Sequence, residues 1–340
     1  MASVREWGED RLVAAVLERI SAVGTGPRMH VAVGDDAAVL GSTGAVVLST
    51  DTLVGGVDFR LDWSSAADIG AKTAAACLAD IAAMGAAPEA LLISLTVPAD
   101  TEVAWVLDLA GGMARECSRA GAGVAGGDMA AGEQIVVTGT AVGRLADPSA
   151  AVLRSGACPG DVVAVCGIVG DSAAGLALLS AGPAALADPG LPDVAAATVL
   201  ARHRRPAPDY RSGVAARQAG ATSLIDVSDG LVRDARRVAV ASGVSIDLDP
   251  VALVPSAEAD AVAKFLSAVT FEAVPLGAVA LEWVLTGGED HAMLATFPHG
   301  AELPAGFRRI GSVFPAVGDP GVTLAGRAYR GTGGWVHFSD

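Results

Sequence analysis

The chain has 340 residues, more than one hydrophobic core comfortably holds, so two domains are expected. With 52% apolar and 18% charged residues it has the composition of a folded globular protein, not of a disordered or fibrous one. A net charge of −15 argues against a nucleic-acid partner held through phosphate contacts, and the mean hydropathy of +0.48 comes largely from alanine. No 18-residue stretch is solidly apolar: even residues 66–85 carry Asp68, Lys72 and Asp80, and no membrane association is expected. The N-terminus interleaves acids with its apolar residues and shows no signal-peptide core, which makes the cytoplasm the expected location. The four cysteines (Cys77, Cys117, Cys158, Cys166) form no CxxC pair, and the five histidines show no HxxxH or HExxH spacing. Buried thiols are expected in preference to disulfides or zinc ligands.

In chain order, residues 9–23 carry apolar side chains at helical spacing. Asp35 and Asp36 follow Gly34, and the apolar run 45–48 reads as a buried strand ending in Ser49, Thr50 and Asp51. Residues 52–59 hold a Gly-Gly pair suited to a close-approach loop, and 66–84 predict a helix ended by Gly85 and Pro88. On that helix Asp80 lies among Leu78, Ala79, Ile81 and Ala82, and a buried acid needs a cation or a strong donor. A strand over 89–97 and a helix over 101–120, interrupted at Gly111-Gly112, come next. A short strand then ends at Gly126-Gly127-Asp128, which reads equally as a cation and phosphate loop or as the turn into a strand over 134–142.

Residues 144–160 are rich in turn formers and mark a domain junction, giving domains 1–150 and 151–340. The pattern then restarts with a strand over 161–166 and a helix capped near Asp171 or Ser172. A Pro/Ala/Gly loop follows over 180–193, and then the basic cluster Arg202, Arg204, Arg205 and Arg211. Residues 222–230 (TSLIDVSDG) are a buried strand running into Asp226, Ser228 and Asp229, with a helix from Leu231 and a strand over 244–248. A second Gly-Gly-acid turn, Gly287-Gly288-Glu289-Asp290, precedes a last group of strands.

Acidic or hydroxyl-bearing turns thus recur at the ends of apolar segments, and strand ends converge on one crevice in α/β folds. Clustered carboxylates repel one another and need cations to stay ionised. All-oxygen ligation without a His or Cys pattern points to Mg²⁺, and several Mg²⁺ ions in a glycine-lined crevice suit phosphoryl chemistry on ATP. Neither a P-loop nor a protein-kinase motif set is present, so metals and arginines would hold the nucleotide.

GDDAAVL, STDTLVGGVDF, CLADIAAMGA, GGDM, RSGACPGDVVAV, GDSAAGL, RHRRPAP, IDVSDGL and GGEDH stand in the order seen in thiamine-monophosphate kinases, and the chain resembles that family from about residue 8 to 338. The resemblance implies a two-domain α/β (α+β) fold of the aminoimidazole ribonucleotide synthetase-like type. In that fold the N-terminal sheets pair across a homodimer, the N-terminal domain binds Mg²⁺ and ATP, and a C-terminal α/β domain completes the sites. It implies ATP-dependent phosphorylation of thiamine monophosphate to thiamine diphosphate by in-line transfer, with no general base. Carried over by motif, Asp36, Ser49, Thr50, Asp51, Asp80, Asp128, Asp226 and Asp229 would hold Mg²⁺. Gly127, Asp128, Arg154 and Ser228 would touch ATP, while Asp58, Glu289 and Trp335 would face the substrate. Two positions depart from the pattern: Asp58 stands where the family usually has histidine, and GGEDYEL becomes GGEDHAM at residues 287–293. The alternatives are a related ATP-using enzyme with another small acceptor and a non-catalytic nucleotide-binding regulator.

Overall fold

A computed structural model describes residues 2–24, 29–31, 39–41, 43–269, 277–329, 331 and 333–335. The chain forms two compact units, Met1–Ala82 with Ala86–Ala150, and Ala83–Gly85 with Ala151–Asp340. Each has its own main sheet, and the architecture is mixed α/β.

The first unit contains α1 (Val4–Trp7), α2 (Glu9–Ser21), the short antiparallel pair β1 (Met29–Val31) and β2 (Val39–Leu40), and β3 (Ala45–Val54). It continues with α3 (Ala66–Ala83), β4 (Ala87–Val97), α4 (Val103–Ala120), β5 (Gly123–Ala131) and β6 (Val136–Leu145). The four long strands lie in the order β3-β6-β4-β5, with β4 and β5 parallel and the other pairs antiparallel. Side chains alternate across a strand, so one face carries Leu53, Leu95 and Val137 into a core with Leu12, Ile69, Val106 and Leu109 from the helices. The other face carries Val46, Leu48, Thr50 and Thr52 of β3, which pair with Arg144, Val142, Thr140 and Thr138 of β6.

Three expectations change here. β3 does not stop at Leu48; Ser49, Thr50 and Asp51 lie in mid-strand, because alternation of inward and outward residues continues through Val54. Gly127 and Asp128 likewise lie inside β5, paired with Ile93 and Ser94, and not in a turn. Finally, α4 runs unbroken through Gly111-Gly112. A Cβ at Gly112 would strike the carbonyl oxygen of Ala67, so this glycine permits close helix approach and is no interruption.

Gly139 on β6 plays the same part beneath α3, where a Cβ would lie 2.5 Å from Cys77 Sγ. Gly139→Ala is expected to cost about 1–3 kcal/mol by overpacking. Cys77→Ala in the same chain should recover part of that loss in a denaturant titration.

The second unit contains β7 (Val162–Cys166), α5 (Asp171–Ser180), α6 (Gly182–Leu186), α7 (Asp193–Arg204), α8 (Tyr210–Gln218), β8 (Ser223–Val227) and α9 (Leu231–Ser242). After these come β9 (Val244–Leu248), α10 (Ala257–Val269), α11 (Ala278–Thr286), β10 (Ala292–Phe297), β11 (Phe307–Pro315), β12 (Gly321–Leu324) and β13 (Arg327–Ala328). Seven strands lie in the order β13-β12-β9-β11-β7-β10-β8, antiparallel except for β12 beside β9. β8 and β10 are buried along their whole length, which explains why most of their residues are apolar on both faces. Ile225, Ile246 and Leu294 pack with Leu231, Ala235 and Val238 of α9, while Leu178, Val199 and Val262 join α5, α7 and α10 in a second cluster. The expected loop over 180–193 contains α6, with proline in its first turn, where the missing N–H is not needed. α7, α8 and α11 form where the sequence shows no clear helical period.

Candidate functional site

In the first unit, strand alternation turns Ser49 and Asp51 toward the helices. Ser49 Oγ donates a 2.5 Å hydrogen bond to Asp80 Oδ2, so β3 and α3 deliver their oxygens to one place. Cys77, one helical turn before Asp80, lies beside them; burial, reinforced by the Asp51 charge, raises its thiol well above the ordinary value. Among the described residues, no three His, Cys, Asp or Glu side chains are grouped closely enough to hold a metal by themselves. That donor set fits Mg²⁺, which characteristically takes one or two carboxylates and completes its shell with waters and substrate phosphates.

The other residues singled out in this unit are distributed differently. Thr50 points to the opposite face, where its hydroxyl bonds Gly139 O at 2.9 Å and meets Thr140 Oγ1. Asp128 shares that opposite face, in register with Ser94, Thr138 and Thr52. It is on β5, at the far edge from β3, and three strand spacings amount to about 14 Å. One ion cannot bridge Asp128 and the Ser49-Asp51-Asp80 group within a single chain. Gly127 occupies the Asp51 row of the sheet, also three strands away. Asp58 Oδ2 accepts from Val54 N at 2.8 Å, closing the turn over residues 54–58. An acid at 58 thus has a local structural use. Asp36 lies outside the described residues.

In the second unit the group Asp226, Ser228 and Asp229 forms the junction from β8 to α9. Gly230 at φ +125° makes the bend, and a Cβ there would meet Thr286 O at 2.7 Å and Gly333 O at 2.8 Å. Asp226 is 3% exposed and Oδ2 lies 2.9 Å from His291 Nδ1. The Asp229 carboxylate pairs with Arg237 and lies 3.5 Å from Arg233 Nε, so its charge is already countered by arginine. Glu289 N donates to Ser228 O at 2.7 Å and Trp335 N to Asp229 O at 2.9 Å. The fold therefore gathers Asp226, Ser228, Asp229, Glu289 and Trp335 at one end of its sheet. Arg154 is not among them: its carbonyl accepts from Ser242 Oγ at the C-terminal end of α9, about 16 Å along the helix from the junction.

Sequence reasoning missed Asp234. This fully buried acid accepts the N–H groups of Ser228 (3.1 Å) and Asp229 (3.0 Å) and an Arg237 bond of 2.5 Å, shaping the junction from inside. Burial foremost, and then the Asp226 charge, push its carboxyl up to about 7. An acid in the first turn of a predicted helix was the available signal.

Asp290 carries a pH signature. Its carboxyl accepts Gly170 N at 2.6 Å and Ser172 N at 3.0 Å, and burial pushes it up to about 7. The native state then binds more protons than the unfolded chain between about pH 4 and 7, so stability falls as pH rises through that window. Thermal unfolding from pH 5 to 8 should show this decline, and Asp290→Asn should make it shallower, Asp234 contributing the rest in the same window.

A model of the family "AIR synthase related protein, N-terminal domain" matches residues 34–145. Thiamine-monophosphate kinase of Mycobacterium tuberculosis is 44% identical over 308 residues, covering 90% of this chain and 85% of the relative. The Corynebacterium glutamicum enzyme of that name is 38% identical over 309 residues, covering 90% and 88%. Among solved structures, thiamine-monophosphate kinase from Stenotrophomonas maltophilia aligns with a TM-score of 0.75 and 29% identity, over 94% of this chain and 96% of that one. The structure described as AaThiL complexed with AMPPCP and TMP aligns with a TM-score of 0.75 and 30% identity, over 99% of both chains.

Proposed function

The chain belongs to the thiamine-monophosphate kinase family, and on that premise we propose that it transfers the γ-phosphoryl group of ATP to thiamine monophosphate, forming thiamine diphosphate. The observation that carries this reading is the end-to-end correspondence with a protein whose solved structure is described as complexed with AMPPCP, an ATP analogue, and TMP. The acceptor is itself a phosphate, anionic and nucleophilic near neutral pH, so alignment and charge compensation suffice and no general base is assigned.

Ser49, Asp51 and Asp80 in the first unit and Asp226 in the second are the principal Mg²⁺ ligands in this reading, with Asp36, Thr50, Asp128 and Asp229 in the wider set. Bound Mg²⁺ supplies charge neutralisation at phosphate oxygens. Gly127, Asp128 and Ser228 contact ATP in this reading, and Arg154, anchored at the far end of α9 from Ser228, is left with a lesser part. Glu289, half-buried beside the β8–α9 junction, complements the thiazolium cation, and Trp335, 54% exposed, offers it an aromatic face. Asp58 has a lesser part, since one of its oxygens is engaged by Val54.

Residues 1–150 serve as the Mg²⁺, ATP and dimerisation domain and residues 151–340 complete the nucleotide and substrate sites. A homodimer through the sheet face opposite the helices is supported by exposed Val46 (52%), Leu48 (67%) and Leu92 (41%), apolar side chains that a second copy would cover. The reaction is placed in the cytoplasm, where ATP is available; among the described residues no helix is long and apolar enough to cross a membrane.

ADP release should accelerate when thiamine monophosphate is added to protein, Mg²⁺ and ATP. Rates equal to those with thiamine or with no acceptor would reject the proposed reaction.

A further inference from the structure

The turn between α11 and β10 sends three consecutive side chains to three separate elements. Glu289 Oε2 lies 3.5 Å from Nδ1 of His203 on α7, and Asp290 receives the N–H groups of Gly170 and Ser172 at the start of α5. His291 turns inward, 6% exposed, and reaches Asp226 at the end of β8. Glu289 and His291 both have positive φ, +64° and +52°, a conformation that side-chain-bearing residues adopt at a cost. The turn is held in it by Glu289 N bonding Ser228 O and His291 N bonding Val227 O.

Position 291 departs from the family's GGEDYEL pattern. The side chain is buried against Asp226. Asp226 is itself almost wholly buried, and a carboxylate so placed needs a donor to stay charged and to keep one orientation. We propose that His291 is a positioning residue for Asp226. Its Nδ1–H holds Oδ2 and leaves Oδ1 to a divalent cation, as a histidine–carboxylate pair behind a metal does. The proposal rests on the reading of Asp226 as a Mg²⁺ ligand.

The test is binding of Mn²⁺, as a paramagnetic stand-in for Mg²⁺, to the full chain with AMPPCP. Asp226→Asn should weaken the site. His291→Phe, of similar bulk but without a donor, should weaken the same site by about 10–100-fold, and His291→Asn, whose amide nitrogen replaces Nδ1, by about threefold at most. In the Asp226→Asn background His291→Phe should have no further effect. Unchanged Mn²⁺ affinity in His291→Phe, with affinity lost in Asp226→Asn, would overturn the positioning role alone. So would an equal loss in both backgrounds. Unchanged affinity in Asp226→Asn would overturn the ligand reading beneath it. Far-UV circular dichroism checks folding; should His291→Phe not fold, a tenfold loss in His291→Asn overturns the proposal and retained affinity upholds it.

Discussion

Asp80→Asn is expected to lower turnover by about 10³-fold, the upper range for removal of one preorganised electrostatic group. Asparagine keeps the shape and can still accept the hydroxyl hydrogen of Ser49 through its amide oxygen. What disappears is the charge that would oppose a cation, so kcat should fall while the helix and its packing persist. Asp51→Asn should behave alike, because Asp51 lies on the same sheet face as Ser49. Stability gives a check of opposite sign. Two neighbouring carboxylates repel without a cation, so each variant should unfold at an equal or higher temperature than the parent when Mg²⁺ is absent. The measurement pairs a coupled ADP assay at saturating Mg²⁺ with thermal unfolding. Near-normal turnover at saturating Mg²⁺ would remove both residues from the proposed site.

Asp234→Ala should destabilise the second unit by about 1–3 kcal/mol, the range for leaving buried donors without an acceptor, since Arg237 keeps its pairing with Asp229. The substitution leaves the Arg237 guanidinium and the N–H groups of Ser228 and Asp229 without their shared acceptor. It also loosens the junction that presents Asp226, so activity should fall further than the unfolded fraction accounts for. Urea denaturation followed by tryptophan fluorescence reads the stability. A loss below about 1 kcal/mol, the size of an ordinary exposed pair, would show that Asp234 is not the internal brace described here.

Much of the secondary structure was legible from periodicity. The helices over 9–21, 66–83 and 231–242 and the strands over 162–166, 223–227 and 244–248 all follow spacing that burial imposes on a chain. The elements missed are of one kind. α7, α8 and α11 are alanine-rich or short; α7 and α11 meet other helices on more than one side, which blurs the amphipathic signal, and α8 offers only nine residues to read a period from. β3 and β5 were cut short because hydroxyls, glycines and acids read as turn chemistry when seen one strand at a time. Their pairing with β6 and β4 outweighs that local preference.

The amino-acid sequence by itself determined the kind of chemistry available: oxygen donors in repeated acidic motifs, no thiolate or imidazole metal pattern, and motif order shared with one enzyme family. Which donors stand together was decided only by tertiary structure, because strand register and face are long-range properties. Ser49 bonds Asp80 and Asp51 shares its face, while Thr50, between them, faces the other way, since a strand turns each successive side chain through half a circle. Asp128 has the right chemistry in the sequence and the wrong edge of the sheet within one chain. His291 stands out in the sequence only as a departure from the family pattern and is a buried partner of Asp226, because the β10–β8 register and the turn before it direct its side chain inward.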